Sequence, residues 1–150
     1  MELKDLPDWI SAFAAVLSML GIFLAFRQLR LSRYIAQMQF EDGLSREFRE
    51  IAAKLPKRAL MGDAIPDSES DQLFDEFYRY FDLCNEQIFL RTQNRVSTST
   101  WSNWQSGIRS MLARTAFREA WNVILAYPQH GLDELARLIT EDFQHDPLTW

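Results

Sequence analysis

Residues 9–26, WISAFAAVLSMLGIFLAF, form a run of eighteen residues without a charged side chain. In a helix that rises 1.5 Å per residue, this run would be roughly 27 Å long, close to the thickness of the hydrocarbon core of a bilayer. Such a run must be kept out of water, either by lipid or by the centre of a folded domain. Its length and lack of charge favour a single transmembrane helix, and the alternative that stays open is a fully buried helix of a soluble protein.

The charges that flank this run predict its orientation. Residues 1–8 hold three acidic residues and one lysine, whereas three arginines follow the run: Arg27, Arg30 and Arg33. Because positive residues beside a spanning helix stay on the cytoplasmic side, we expect the N-terminus in the periplasm and the C-terminal part in the cytoplasm of a bacterium, with the helix in the inner membrane. A cleaved signal peptide would begin with basic residues, so we interpret the run as a retained anchor.

Small residues recur along the anchor at spacings of three and four, which places them on one side of a helix. This small-residue seam consists of Ser11, Ala14, Ser18, Gly21 and Ala25. Spanning helices gain little from packing large apolar side chains together in lipid, and small residues allow their backbones to approach closely. The seam therefore predicts a homo-oligomer, although small residues are also common in spanning helices that do not associate.

Helical periodicity continues beyond the anchor. Apolar residues recur every three to four positions in several segments, and no run alternates apolar and polar residues as a strand would. We therefore predict an all-α fold. Its parts are a periplasmic N-terminus over 1–8, a transmembrane helix over 9–26, a juxtamembrane stalk helix over 27–43 and a cytoplasmic domain of about five helices over 44–150.

One segment of the domain is basic in an otherwise acidic chain. The chain carries 16 Lys and Arg against 21 Asp and Glu, a net charge of -5, which argues against a partner such as double-stranded nucleic acid. Residues 87–118 contain no acidic residue and five arginines: Arg91, Arg95, Arg109, Arg114 and Arg118. The hydroxyl-rich residues 97–100 of this segment should begin a helix, where free backbone N–H groups favour an anion.

These residue types predict an anionic nucleotide ligand. Arginine binds phosphate through paired hydrogen bonds, hydroxyl groups add further donors, and an amide side chain reads a base edge. The predicted ligand-binding residues are Arg91, Arg95, Ser97, Thr98, Ser99, Thr100, Asn103, Arg109 and Arg114. Two alternatives stay open. The arginines could face water or pair with the acidic residues of 67–76, and Trp101 and Trp104 could belong to the core or stack on a base.

The sequence offers little for catalysis, so we expect no enzyme, no metal and no cofactor. Cys84 lies on the apolar face of its predicted helix and is the only cysteine. Asp142, His145 and Asp146 could approach each other, but we expect this C-terminal tail to be frayed. A membrane-bound hydrolase that uses a carboxylate such as Glu86 is a third, weaker hypothesis.

The arginine-rich stalk after a single span is followed by FDEFYRYFDLCNEQIFL (74–90) and TWSNWQSGIRSMLARTAFREAW (100–121). Over residues 9–125 this order resembles small bacterial membrane-anchored helical proteins. More narrowly, it is similar to the membrane-anchored effectors of type III CRISPR systems, in which a cytoplasmic helical domain binds a cyclic oligoadenylate and the spanning helices act on the membrane. The resemblance implies an oligomeric antiviral effector and assigns no binding residue. The alternative is a membrane-tethered protein–protein interaction module without a small-molecule ligand.

The seam makes a direct prediction about self-association. We expect Gly21→Leu to weaken the oligomer, because a large side chain separates backbones that the small residues bring together. Size measurement of the full chain in detergent tests this, with Leu20→Ala as the control outside the seam. An oligomer of unchanged size and stability in the Gly21 variant would contradict the prediction.

Overall fold

The computed structural model describes residues 8–150, with side chains for 10–66 and 68–150. All regular structure in this part of the chain is helical, which confirms the predicted all-α fold. The helices are α1 (Asp8–Ala52), α2 (Lys57–Met61), α3 (Asp67–Thr92), α4 (Thr98–Leu112), α5 (Thr115–Leu125) and α6 (Asp133–Thr140), followed by a 3-10 turn (Pro147–Thr149). Of the predicted periplasmic segment 1–8, residues 1–7 lie outside the described residues.

The chain divides into two units, residues 1–39 and 40–150, and α1 contributes to both. The predicted boundary between stalk and domain, at residue 44, falls inside the second unit. α1 is a continuous helix through Gly43. The second unit therefore includes the last turns of the helix whose first part is the long apolar run.

In the first unit, α1 exposes a long apolar surface. Every residue from 10 to 36 is exposed, including large side chains such as Met19 at 73% and Phe23 at 66%. The hydroxyl of Ser18 donates to the carbonyl oxygen of Ala14 at 2.8 Å, which satisfies a polar group of the seam within the helix itself. The helix is long and apolar enough to cross a membrane.

Local chemistry sets the helix ends in the second unit. Pro56 precedes α2, and Gly62 ends it with a left-handed φ of 105° that glycine adopts without strain. Ser97 caps α4 by accepting a hydrogen bond from the Thr100 backbone N–H. Asn85 of α3 caps α6 although it is distant in sequence. Its side-chain oxygen accepts the Leu135 backbone N–H at 3.0 Å, near the start of α6.

The core of the second unit is built around α3, which packs against α5, α6 and the 3-10 turn. Phe117 of α5 is fully buried and meets Phe77 and Tyr80 edge to face, with ring centroids 5.1 Å apart in both pairs. Edge-to-face packing is a favoured arrangement of aromatic rings. The last turns of α1 complete this core with Leu44 and Ile51.

The C-terminal tail is ordered, so the expectation that it frays was wrong. The Asp146 side chain caps the 3-10 turn by accepting the Leu148 backbone N–H at 3.0 Å. The Trp150 indole N–H donates to Glu141 at 3.1 Å, and the guanidinium of Arg137 lies 4.2 Å from the centroid of the same ring. These contacts hold the tail against the domain.

The aromatic core predicts a large stability difference between two variants of α5. We expect Phe117→Ala to lower the free energy of unfolding by about 3 to 5 kcal/mol, because a buried ring is replaced by a cavity. Val123→Ala, at a side chain that is 48% exposed, should change it by about 0.5 kcal/mol or less. Urea unfolding of the full chain in detergent, followed by helical circular dichroism, measures both. Equal losses in the two variants would contradict the described core.

Candidate functional site

Arg91, at the end of α3, is the most deeply buried of the predicted ligand residues. Its side chain is 2% exposed. The guanidinium donates to both carboxylate oxygens of Asp146, at 2.8 and 2.5 Å, and to the Val96 carbonyl oxygen at 2.8 Å. It also donates to the Thr98 hydroxyl at 3.3 Å. Arg91 therefore ties the end of α3, the start of α4 and the C-terminal tail together.

This ion pair shifts both partners toward their charged forms. The hydrogen bond from Arg91 lowers the pKa of the Asp146 carboxyl, and burial opposes this effect in part. The hydrogen bond to Asp146 likewise raises the pKa of Arg91. A buried guanidinium needs such a partner, because an unpaired buried charge is costly. Sequence reasoning missed Asp146 as that partner, although an Asp directly before a Pro-initiated turn is a recognisable cap signal.

The predicted anion position at the start of α4 is occupied by a carboxylate of the same chain. Glu41 of α1 is 8% exposed and accepts the Ser97 backbone N–H at 2.7 Å and the Thr100 hydroxyl at 2.5 Å. The Ser97 hydroxyl donates to it as well, at 3.3 Å. A helix start favours an anion, and here the carboxylate of Glu41 in the same chain takes that position.

The other predicted residues are spread over the domain. Arg95 is exposed and lies over the Phe40 ring at 4.9 Å. Arg109 pairs with Asp142 at 2.8 Å, and Arg114 donates to the Leu60 carbonyl oxygen. Arg109 lies twelve residues after Ser97, roughly 18 Å along α4. The structure therefore brings Arg91, Ser97, Thr98 and Thr100 together, whereas Arg109 and Arg114 have partners elsewhere in the domain. Ser99 is exposed beside Ser97, with their hydroxyls 3.3 Å apart.

The alternative partner set for the arginines, the acidic residues of 67–76, was wrong for two of them. Arg91 and Arg109 pair with Asp146 and Asp142 of the C-terminal region instead. Glu69 pairs with Arg58, and Glu76 lies within 3.4 Å of both Lys54 and Arg79. Glu69 and Glu76 thus have nearer cationic partners on α2, on α3 and in the turn after α1.

A groove of about 330 Å³ lies between the last turns of α1, α3 and α4. Trp104 and Asn103 line it from α4, so the structure separates the two tryptophans: Trp101 is 2% exposed in the core, and Trp104 is half-buried at the groove. The other lining residues are Ser45, Phe48, Arg49, Tyr80, Leu83, Cys84, Gln87, Gly107, Ile108 and Met111. Most of its wall is apolar, and its volume lies at the lower end of the range of small-molecule sites.

The side chains of Gln87 and Arg49 in the groove have no partner among the described residues. Gln87 is only 5% exposed, yet its amide makes no hydrogen bond to any residue that the structure describes. Arg49 is exposed and forms no ion pair within the described part of the chain. Sequence reasoning missed both residues, because the groove forms only when three helices distant in sequence come together.

The groove contains no activated nucleophile. Burial raises the pKa of the Cys84 thiol to about 12, and a hydrogen bond from Tyr80 opposes this shift only in part. Burial also raises the pKa of Tyr80 well above its usual range. Both groups therefore stay protonated and neutral at physiological pH. Among the described residues, no group of three His, Cys, Asp or Glu side chains is placed to hold a metal ion.

The chemistry of the two regions differs. At the start of α4, charges and donors are satisfied within the chain, whereas the groove offers apolar surface, an unpartnered amide and a guanidinium. No known family model, curated protein or solved structure matches this chain.

The Arg91–Asp146 pair predicts how stability depends on pH. Because the folded pKa of Asp146 lies below the ordinary 3.8, its contribution is present above that pH and is lost as the pH falls through the folded pKa. We expect Asp146→Asn to lower the free energy of unfolding by about 2 kcal/mol at pH 7 and to flatten its decline toward pH 3.

Asp142→Asn is the matched control, since its ion pair with Arg109 is exposed. It should change the free energy of unfolding by about 0.5 kcal/mol or less and keep the wild-type pH profile. Urea unfolding of the full chain between pH 3 and 7 measures both variants. If the free energy of unfolding of Asp146→Asn declined toward pH 3 as steeply as that of the wild type, the carboxylate would not stabilise the fold.

Proposed function

We propose that this chain is a single-span protein of the bacterial inner membrane, with its N-terminus outside and its helical domain in the cytoplasm. The spanning helices associate through the small-residue seam. The cytoplasmic domain binds a small anionic ligand of nucleotide type, and binding changes the packing of the spanning helices in antiviral defence.

One observation carries the membrane part of this proposal. From residue 10 to 36 no residue of α1 is buried, although residues 10–26 carry no charge. Water would have to hydrate this whole apolar surface, which is far larger than the patches that soluble monomers tolerate. Lipid removes that cost over the length of one crossing. The arginines that follow supply the cytoplasmic orientation of the proposal.

The ligand part is supported by charge and by unused hydrogen-bonding groups. Three arginines of the acid-free segment 87–118 are exposed: Arg95, Arg109 and Arg118. Amide groups at Gln87 and Asn103 line one groove. The ligand changes the membrane segment only if it binds one arrangement of the subunits more tightly than another. α1 is suited to transmit ligand binding to the membrane segment, because it contains the apolar segment and also supplies core residues to the domain.

A second candidate is a membrane-tethered interaction module without a small ligand. This candidate is favoured because the groups of the predicted site already have partners within the chain. Asp146 accepts hydrogen bonds from Arg91, and Glu41 accepts the backbone N–H of Ser97 at the start of α4. On this hypothesis the basic segment is structural, and the domain docks a protein. Ligand titration separates the two candidates.

The experiment uses the full chain expressed in a bacterium. We expect it to stay in the membrane pellet after carbonate extraction and, once purified in detergent, to bind nucleotides in calorimetry with a panel of linear and cyclic forms. The double variant Arg95→Glu, Arg109→Glu should weaken binding at least tenfold, because it reverses two exposed charges. Arg46→Glu is the control on α1, outside the acid-free segment.

Each outcome decides one part of the proposal. Release by carbonate would refute the membrane anchor. Retention in the pellet with no nucleotide bound would leave the interaction module as the function. Binding that is equally strong in the double variant would refute the role of these arginines.

A further inference from the structure

We propose that the groove between the last turns of α1, α3 and α4 is a binding site for a small planar aromatic molecule that carries an anionic group. This inference rests on the proposed function for its biological ligand, because a single nucleotide unit belongs to that class. It adds to the exposed arginines of the proposed function a site that the sequence did not predict.

The walls of the groove suit a flat ring. Phe48 of α1, Leu83 of α3 and Ile108 of α4 line it from three helices, and Trp104 adds an indole. Apolar side chains on several sides remove a ring from water, and aromatic side chains can stack on it. The volume of about 330 Å³ limits the occupant to one ring system with its substituents. A whole cyclic oligonucleotide would insert one of its bases.

Gln87 selects a ligand with a hydrogen-bonding edge. The residue is 5% exposed. Its amide can both donate and accept a hydrogen bond, and it has no partner among the described residues. Among the described residues, the buried side-chain atoms without a hydrogen bond are Arg58 Nε and Trp101 Nε1, so the Gln87 amide is accessible from the groove, where the edge of a ligand can pair with it. Asn103 lines the same groove and offers a second amide.

Arg49 selects an anion. It lines the groove, is exposed, and has no carboxylate partner in the described part of the chain. Its neighbours on the same face of α1, at positions 45, 46, 52 and 53, are Ser, Arg, Ala and Ala, so no acidic side chain one turn away neutralises it. A phosphate, sulfonate or carboxylate on the ring would meet this guanidinium.

Gly107 provides a variant that fills the groove without disturbing the fold. It lies on α4 among the lining residues, and a Cβ added there has no heavy atom within 4 Å. Leucine also favours a helix more than glycine does, so Gly107→Leu should fold at least as well as the wild type. Gly43→Leu is the matched control, since Gly43 is a helical glycine with the same open space outside the groove.

The test uses the full chain in detergent and two probes, anilinonaphthalene sulfonate and adenosine 5′-monophosphate. The first is followed by its fluorescence and by energy transfer from tryptophan, the second by calorimetry. We expect the wild type to bind both probes saturably. Gly107→Leu should lose this binding, and Gly43→Leu should keep it. Arg49→Gln should weaken both probes about tenfold, with Arg46→Gln as its control. Gln87→Leu should weaken the nucleotide more than the sulfonate, which lacks a base edge.

The outcomes separate this inference from the proposed function. Nucleotide binding that is unchanged in Gly107→Leu would overturn the groove and leave the proposed nucleotide function standing. Sulfonate binding that depends on the groove, without nucleotide binding, would support the site and refute the nucleotide. Failure of both probes to bind would overturn both.

Discussion

The need to keep an apolar helix surface away from water governs this protein. α1 carries the uncharged residues 10–26, and no side chain in the described part of the chain buries them. A soluble domain of this size would cover such a surface with its own core, as the second unit does around Phe81 and Phe117. The helix is long and apolar enough to cross a bilayer, which would supply that cover.

A second constraint acts inside the domain, where Arg91 is buried with its charge. The guanidinium donates to Val96 and Thr98 beside the start of α4 and to Asp146 in the C-terminal tail. Once this arginine is placed, the loop between α3 and α4 and the C-terminal tail have little freedom, since each supplies a partner it requires. A residue type that suggests phosphate binding in the sequence thus serves the architecture of the fold.

The last turns of α1 link these features. Glu41 caps the start of α4, Leu44 and Ile51 enter the core, and Arg49 lines the groove. One helix therefore supplies the apolar surface, a buried capping carboxylate and one wall of a cavity. A ligand in the groove would contact the helix that the proposal places in the membrane, which gives ligand binding a physical route to the spanning segment.

The sequence by itself determined the helical fold and the apolar run that is long enough to cross a membrane, because these follow from local periodicity and from a stretch of uncharged residues. It also located the basic segment and the helix start at Ser97. Only the tertiary structure decided which charges meet, since Asp146 and Arg91 are 55 residues apart and Glu41 and Ser97 are 56 apart. Pairings and cavities between distant helices depend on how those helices pack, and neither the periodicity nor the spacing of one segment carries that information.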